Sequence, residues 1–595
     1  QKASIDQVRS LLPETIKRVE WLDNPGLRYG GANYVVNFIV TNPTLGGSLM
    51  ARAQPALNKV WGWYMADAKF NNGRSQWGVG AYFKLADFKG HRSYNETFTR
   101  PDGESWTRTE KPLGGSLKDT NGSVWLSYNY IKPDTTVIMA GLGMHRVFDA
   151  RERYDGLMSV TDDPDEILLR NGRGNHGNTP TLSLYLQQSF GRGQMLVVDF
   201  SSSLYHGSTY SQYREEQPAY GPAPEVTDIH TDICDQNQAY AVEADYIKNW
   251  KKARLTAGGS YTANRNRSRY MTLGGDIFHQ RQDRAYLFAE YFRRMGKWTA
   301  TVGMGAQYTD FKFRESGRGN HSWSPRPQAT VTYRLNDNHN FRLNFTSWQS
   351  YPSLAETNIV PQQLDGFQWR VGNQNLHTAS SYMLTFRYGF SLPRVEGTFG
   401  VRAFTSPDAI TPVMMWEGEK LITTYENSRG LRNLSFFIAP QIEVIPQWVY
   451  LSGYLQYRME RMAGAGYKLY NNDLSGNVQL QVMHNGFVFD FQYNRAQRDL
   501  WGESISWGEN ISMASLGYNW KGWQFSAGMV MPFGRYDQGS KSLSQWNRNE
   551  KHMRVNMHMP YIQVVYNLQW GRQKRGAQKQ TSTEANADRS TAGGR

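Results

Sequence analysis

The 595-residue chain has one cysteine, Cys234, so no disulfide can form within it. That thiol reads as an inert loop residue. No stretch approaches the ~18 consecutive apolar residues that a membrane-crossing helix needs. Mean hydropathy is −0.64 and hydrophobic residues make up 39%. These shortages exclude a disulfide scaffold and a helical membrane protein. They leave a membrane barrel open, because a barrel turns only alternate residues toward lipid and its average hydropathy stays low. No signal peptide is visible and residue 1 is Gln, so the chain is expected to be processed or a fragment. No set of Ser, His, Cys or carboxylate residues forms a catalytic constellation, so neither an enzyme nor a cofactor is expected.

Aromatic residues are plentiful, at 14%, with 35 Tyr, 19 Trp and 27 Phe, and glycine is high at 56. The net charge of +14 is scattered over turns and loops, apart from the run Arg572-Gln573-Lys574-Arg575. A soluble nucleic-acid-binding β protein would fit that charge. It does not fit the strand pattern, so no nucleic-acid partner is expected.

From residue 44 onward the dominant signal is alternation with period two. Ala285, Leu287, Ala289 and Tyr291 share one face. After Met295-Gly296-Lys297, the residues Trp298, Ala300, Val302, Met304, Ala306 and Tyr308 share the next. Strands of 12 or more residues exceed the roughly 5–6 usual in sandwiches. Tight turns are expected near Asn72-Gly73, Pro133-Asp134, Arg192-Gly193, Trp250-Lys251, Gly296, Asp337, Pro393-Arg394, Pro446-Gln447, Asn485-Gly486 and Lys521-Gly522. They alternate with long connections at 89–121, 147–179, 206–237, 264–282, 313–324, 351–378, 408–429 and 534–551. Short turns at one rim and long loops at the other mark an outer-membrane barrel. Ten such turns, with a first strand Gly46–Gln54 and a last strand within His552–Arg572, predict an all-β, transmembrane antiparallel barrel of about 22 strands, a size that holds a plugged lumen. In the last strand Ile562, Val564, Tyr566, Leu568 and Trp570 are expected to face lipid. Residues 573–595 are polar and patternless, and are expected to be a disordered tail.

Residues 1–43 stand outside this pattern. Two β-type runs, Ile16–Leu22 and Tyr34–Val40, flank Asp23-Asn24-Pro25-Gly26 and Tyr29-Gly30-Gly31. The segment IKRVEWLDNPGLRYGGANYVVNFIVT resembles the end of the plug domain of TonB-dependent outer-membrane receptors, in the barrel branch abundant in Bacteroidetes. Arg18, Glu20, Asn24, Pro25, Arg28, Tyr29, Gly30 and Asn37 carry the match. A second match, to a loop of the same receptors, is carried by Pro352, Glu356, Gly372, Asn373 and Leu376. Thr378 stands where the family has Pro, and the first half of the plug and any TonB-contacting box are not in this chain. The resemblance implies a partial plug over 1–43 joined to a barrel over 44–572 in the outer membrane of a Gram-negative bacterium. It also implies energised import of a scarce or bulky nutrient (siderophore, haem, cobalamin, glycan or peptide). The partners implied are membrane lipid, an inner-membrane TonB complex and a surface lipoprotein. The rival reading is a barrel that transports nothing and serves as a surface-binding or assembly scaffold.

Other candidates come from the residues themselves. Tyr205, Tyr210 and Tyr213, with Tyr220, could stack on a ligand, or could simply pack near the lipid interface. Asp162, Asp163 and Asp165 form a carboxylate cluster suited to Ca²⁺ but without EF-hand spacing. His206, His230, His279 and His321 fall in expected outer loops, where isolated surface histidines are the simpler reading. Arg28 is expected to pair with a carboxylate of the barrel wall.

Overall fold

Hydrocarbon offers a backbone no hydrogen-bond partner, so a strand that crosses it must be paired along both edges. The computed structural model meets that demand with one antiparallel sheet closed on itself. It describes residues 16–23, 34–132, 135–161, 163, 165–216, 226–534, 536–575 and 584–587. Among these, 27 strands share the sheet. Ile16–Asp23 and four short outer strands (Arg498–Trp501, Ser504–Trp507, Tyr536–Leu543 and Asn547–Val555) lie off the ring, and the other 22 close it. All ten expected turns fall between consecutive ring strands, with Pro133 and Asp134 outside the described residues.

The ring closes between Tyr34–Pro55 and Met559–Arg575, paired from Thr41↔Arg575 to Ala53↔Val564. At this seam Gly46 stands opposite Gly571, with φ of 146° and 96°. A Cβ on Gly46 would sit 2.0 Å from the Trp570 carbonyl oxygen, and one on Gly571 1.9 Å from that of Leu45. Only glycine permits both the backbone angle and the approach, beside a register shift between Pro43 and Leu45. The first half of Tyr34–Pro55 pairs instead with Ile16–Asp23. One strand thus joins the amino-terminal hairpin directly to the ring.

The lipid face follows the expected alternation. Leu287, Val302 and Met304 are each 58% exposed or more, on neighbouring strands in the predicted register. Ile562, Leu568 and Trp570 also face outward. Aromatic pairs flank the inner turns: Trp298 with Tyr333 at 4.6 Å, Phe487 with Tyr518 at 4.7 Å, and Trp523 with Tyr566 at 4.5 Å. They form the girdle that anchors a barrel at the membrane interface.

The expected long loops are corrected in kind. Residues 89–121 are mostly strand: Ser75–Thr99 runs 25 residues and Ser105–Lys132 runs 28. The connections at 147–179, 206–237 and 264–282 are likewise occupied largely by strand. A crossing takes about 9–11 residues, so these hairpins rise well beyond the bilayer. Above it the outer face meets water instead of lipid and its apolar alternation ends, but backbone pairing continues. Cross-strand ion pairs such as Arg173–Glu152 at 2.8 Å replace the apolar contacts.

Where Val60–Asn72 ends, the freed edge of Ser75–Thr99 is taken over by Asn547–Val555, paired from Gly90↔Val555 to Phe98↔Asn547. His552 therefore belongs to an outer hairpin, and the last ring strand begins at Met559. That strand ends at Arg575, three residues beyond the expected boundary. Residues 576–583 and 588–595 of the expected tail lie outside the described residues. Between them, the Ala585 N–H donates to Ser201 Oγ at 2.7 Å.

A side chain at the seam should be felt at once. Gly571→Val should cost at least the ~1–3 kcal/mol of a forced backbone angle, and more from the clash. Heat-modifiable mobility in gels should show less closed barrel. An unchanged closed fraction and melting temperature would contradict the seam geometry.

Candidate functional site: a charge-sorted lumen under a folded lid

A ring of this size is too wide for its own side chains to fill. Its inner face is polar, with acids in excess on one arc and arginines on another. Between Gln194 and Met295, Asp199, Glu243, Asp245 and Glu290 point inward and are at most 3% exposed, joined by Arg254, 3.8 Å from Glu290, and Arg284, 4.7 Å from the centre of the Tyr351 ring. Asp199 stands opposite Glu243, and Asp245 opposite Gly258, where a Cβ would meet its Oδ1 at 1.9 Å. Ser201, which receives the Ala585 N–H, lies two residues above Asp199 on the same face. Farther round the ring the inward charges are arginines. Arg342 stands opposite Arg387. The Arg387 and Arg402 guanidinium carbons lie 5.9 and 5.4 Å from the centre of the Phe437 ring, and that of Arg326 lies 4.6 Å from the centre of the Tyr286 ring. Aromatic faces hold such cations at little cost in solvation. The lumen therefore carries an excess of acid on one arc and of arginine on the next, suited to a segment or ligand carrying both signs.

Above the lumen, residues 351–378 fold inward as a lid. Ser353 caps the short helix Leu354–Thr357 in a reciprocal box with Glu356. This seats Leu354, 1% exposed, among Ile233, Tyr270, Phe278, Phe311 and Phe313 of the wall. The Gly372 N–H donates to the Asn358 carbonyl at 2.7 Å, and a Cβ on Gly372 would lie 2.4 Å from that oxygen. Gln368–Arg370 then pairs in parallel with Lys420–Asn427, whose hairpin partner is Ile410–Glu417.

The far side of this small sheet is bolted to the 75–132 hairpin. Asp365 is fully buried. It accepts from the Phe367 and Gln368 N–H groups at 3.0 and 2.7 Å, and from Arg108 at 3.0 Å. Phe367 packs edge-on to Phe98 at 4.9 Å and stacks on Trp416 at 6.0 Å. The Trp416 indole N–H donates to the Thr99 carbonyl at 2.9 Å. Glu96, 1% exposed, accepts from Gln368 at 3.3 Å and from Asn547 at 2.7 Å. Beneath this bolt Arg92 and Glu110 form a buried pair at 2.6 Å. Burial beside Arg92 and Arg173 pushes the nearby Lys551 ammonium down to about 7.

The second sequence motif thus forms one structure. Glu356 closes the cap, its carbonyl accepts the Asn373 N–H at 2.7 Å, Asn373 donates to the Tyr425 carbonyl at 2.9 Å, and Leu376 is buried. Pro352 precedes the capping Ser353. Of the first motif, Arg18 and Glu20 lie on Ile16–Asp23, and Glu20 stands opposite Asn37. Asn24, Pro25, Arg28, Tyr29 and Gly30 lie outside the described residues.

The tyrosines do not converge. Tyr205 and Tyr213 point inward, while Tyr210 is on the other face of the same strand. Tyr205 lies flat against Gly177 and Gly207, as wall packing rather than a free platform. Tyr220 and Asp162 lie outside the described residues. Asp163 accepts the Asp165 N–H at 3.0 Å in a turn. The histidines stay apart, with His230 on Asp232 at 2.9 Å and His279 on Glu315 at 2.6 Å. Among the described residues no three His, Cys, Asp or Glu side chains gather as metal ligands. The lid bolt has no sequence signal of its own, since Asp365 and Phe367 are ordinary loop residues until register brings them to Arg108 and Phe98.

A closed antiparallel ring with lipid-facing aromatics and tall outer hairpins defines an outer-membrane barrel. The pattern describing the outer membrane protein beta-barrel family matches residues 188–566, and the chain belongs to that family, in the outer membrane of a Gram-negative bacterium. Among solved structures it is similar to the copper transporter OprC, with TM-score 0.63 and 11% identity over 93% of this chain and 86% of that one. It is also similar to the FrpB iron transporter from Neisseria meningitidis (0.59, 9%, covering 93% and 89%). A third is the ferripyoverdine receptor of the outer membrane of Pseudomonas aeruginosa (0.61, 9%, covering 93% and 76%). At such identities the likeness is one of fold. No curated protein sequence matches the chain.

Two outcomes test the lid. Asp365→Ala strands Arg108 and frees two backbone N–H groups, and should destabilise the lid by about 3–5 kcal/mol, the usual cost of breaking a buried charge pair. Protease should then cut within 351–378 while the barrel band survives. A lid as resistant as the wild type would contradict the bolt. Lys551 carries a lowered cationic pKa, so its charged form is the costly one. The cost is full below about pH 7 and fades as pH rises toward its ordinary value of 10.5. Lys551→Met should therefore raise the melting temperature at pH 6 more than at pH 10, and equal shifts at both would refute a charge effect.

Proposed function

We propose that this chain is the end of the plug and the barrel of a TonB-dependent transporter of the Bacteroidetes type. It would import a nutrient too scarce or bulky to diffuse: a siderophore, haem, cobalamin, glycan or peptide. The observation that carries this reading is the folded lid over a charge-sorted lumen. A lid bolted by buried side chains suits gated entry better than a free pore. An acid-rich arc and an arginine-rich arc suit a lumen segment that must be held and then released. In this reading the hairpin of Ile16–Asp23 with Tyr34–Pro55 is where the plug joins the ring, and Arg28 pairs with a carboxylate of the acid-rich arc. An inner-membrane TonB complex supplies the force, and a surface lipoprotein is a further candidate partner. Similarity to copper and iron transporters and a siderophore receptor supports the fold that such an activity uses.

The test is uptake by cells lacking the gene, under limitation for iron chelates, haem, cobalamin or glycans in turn. Uptake of one of them should fall at least tenfold and return with the wild-type gene. If every nutrient enters at the wild-type rate while the restored protein is normally assembled, the scaffold reading takes its place.

A further inference from the structure

The strands Val226–Asn249, Ala253–Tyr270, Asp276–Met295 and Trp298–Phe313 pair without a register shift, so each keeps one face to the outside over its whole length. Their outward residues therefore form level rows. The row Gly259, Leu287, Ala306 and the row Ala257, Ala289, Met304 belong to the lipid face. Above them Tyr261, Ala285 and Tyr308 form the upper aromatic row. Next comes Ala263, Asp283 and Asp310, and then Arg265, Arg281 and Lys312. One step higher Arg267 stands opposite His279, with Arg314 just beyond the end of its strand.

Three cations directly opposed across three strands repel one another, an arrangement that destabilises a sheet. Asp283 offsets part of this. It accepts from Arg265 at 2.8 Å, Arg281 at 2.5 Å and Tyr261 at 2.7 Å, and so holds both guanidinium groups in fixed positions. Lys312 reaches Asp310 at 3.2 Å. Arg267 has only the neutral Gln236, at 3.0 Å, and Arg269 and Arg314 have no ion pair among the described residues. Cations remain in excess even with Glu315, which accepts from the His279 ring at 2.6 Å, around an open recess of about 540 Å³ whose lining includes Arg265, Arg267, Arg281, Lys312 and Arg314.

Height identifies what fills it. Four residues separate Tyr261 from Arg265, roughly 13 Å along a strand, or about 10 Å of height at the usual barrel tilt. That is the headgroup layer of the outer leaflet. Beneath it the small residues Ala257, Gly259, Ala285, Ala289 and Ala306 lie beside the projecting Leu287 and Met304, leaving gaps in which acyl chains can lie.

We propose that this patch binds the phosphorylated headgroup of an outer-leaflet glycolipid, with phosphate oxygens on the Arg265, Arg281, Lys312 and Arg267 row and the acyl chains on the alanine-rich face below. Arginine forks suit phosphate oxygens by geometry as well as charge. A free phosphate shares the headgroup chemistry but gains nothing from the apolar face. The site is distinct from the lumen and does not depend on what is transported.

Native mass spectrometry of the detergent-purified full chain tests it, with diphosphorylated lipid A, its dephosphorylated form and inorganic phosphate as separate probes. Diphosphorylated lipid A should be retained at least tenfold more tightly than the dephosphorylated form, with affinity falling as salt rises. The variant Arg267→Gln/Lys312→Gln/Arg314→Gln, which leaves the Asp283 pairs intact, should lose at least tenfold. The inner-rim variant Arg293→Gln/Arg294→Gln should lose nothing. Equal loss in both variants, no loss in the first, or retention of inorganic phosphate at the lipid's affinity would each overturn the proposal. Heat-modifiable mobility confirms that each variant is folded.

Discussion

The constraint on which everything else depends is backbone hydrogen bonding in a medium without water. Each crossing strand needs a partner on both sides, and the only arrangement that leaves no unpaired edge is a closed ring. Closure falls on Gly46 and Gly571, where two backbones approach too closely for any side chain. The same demand acts above the membrane. There Asn547–Val555 covers the edge that Val60–Asn72 leaves bare. Strands of 25 and 28 residues stay paired where loops would otherwise need water at every peptide group.

Closing 22 strands creates the next problem, a lumen wider than side chains can fill. The chain answers with charge below and a lid above. An excess of acid on one arc and of arginine on another gives the interior a direction as well as a polarity. The lid joins apolar packing at Leu354 to a fully satisfied carboxylate at Asp365, so its two attachments differ in chemistry. One responds to lost volume and the other to lost charge.

Much of this was legible in the sequence. Alternation, the ten turn positions and the strand number follow from a period of two and from turn chemistry at residues such as Asn485-Gly486 and Lys521-Gly522. The Glu356–Leu376 motif stood out as a unit. Hairpin height was not legible, because alternation marks a lipid boundary, and around Arg151 to Asp155 charged residues stand on both faces. Nor was the lid sheet, whose strands Gln362–Gln363 and Gln368–Arg370 are too short to show a period. The placement of the tyrosines was not legible for a related reason. Tyr205 is aromatic and near the expected loop, but the glycines that receive it lie on its own strand and a neighbour. The cation row escaped notice because Arg265, Arg281 and Lys312 are far apart in sequence and meet only through register.

The bolt at the mouth draws on Glu96, Asp365, Trp416 and Asn547, residues spread over most of the chain. Contacts so distant in sequence carry a high loop-closure cost and form late in folding. Asn547 reaches Glu96 through an outer hairpin that precedes the closing strand, so the bolt joins the two ends of the wall just as the seam does. The mouth therefore ties the ends of the wall together a second time, above the seam and through side chains as well as backbone.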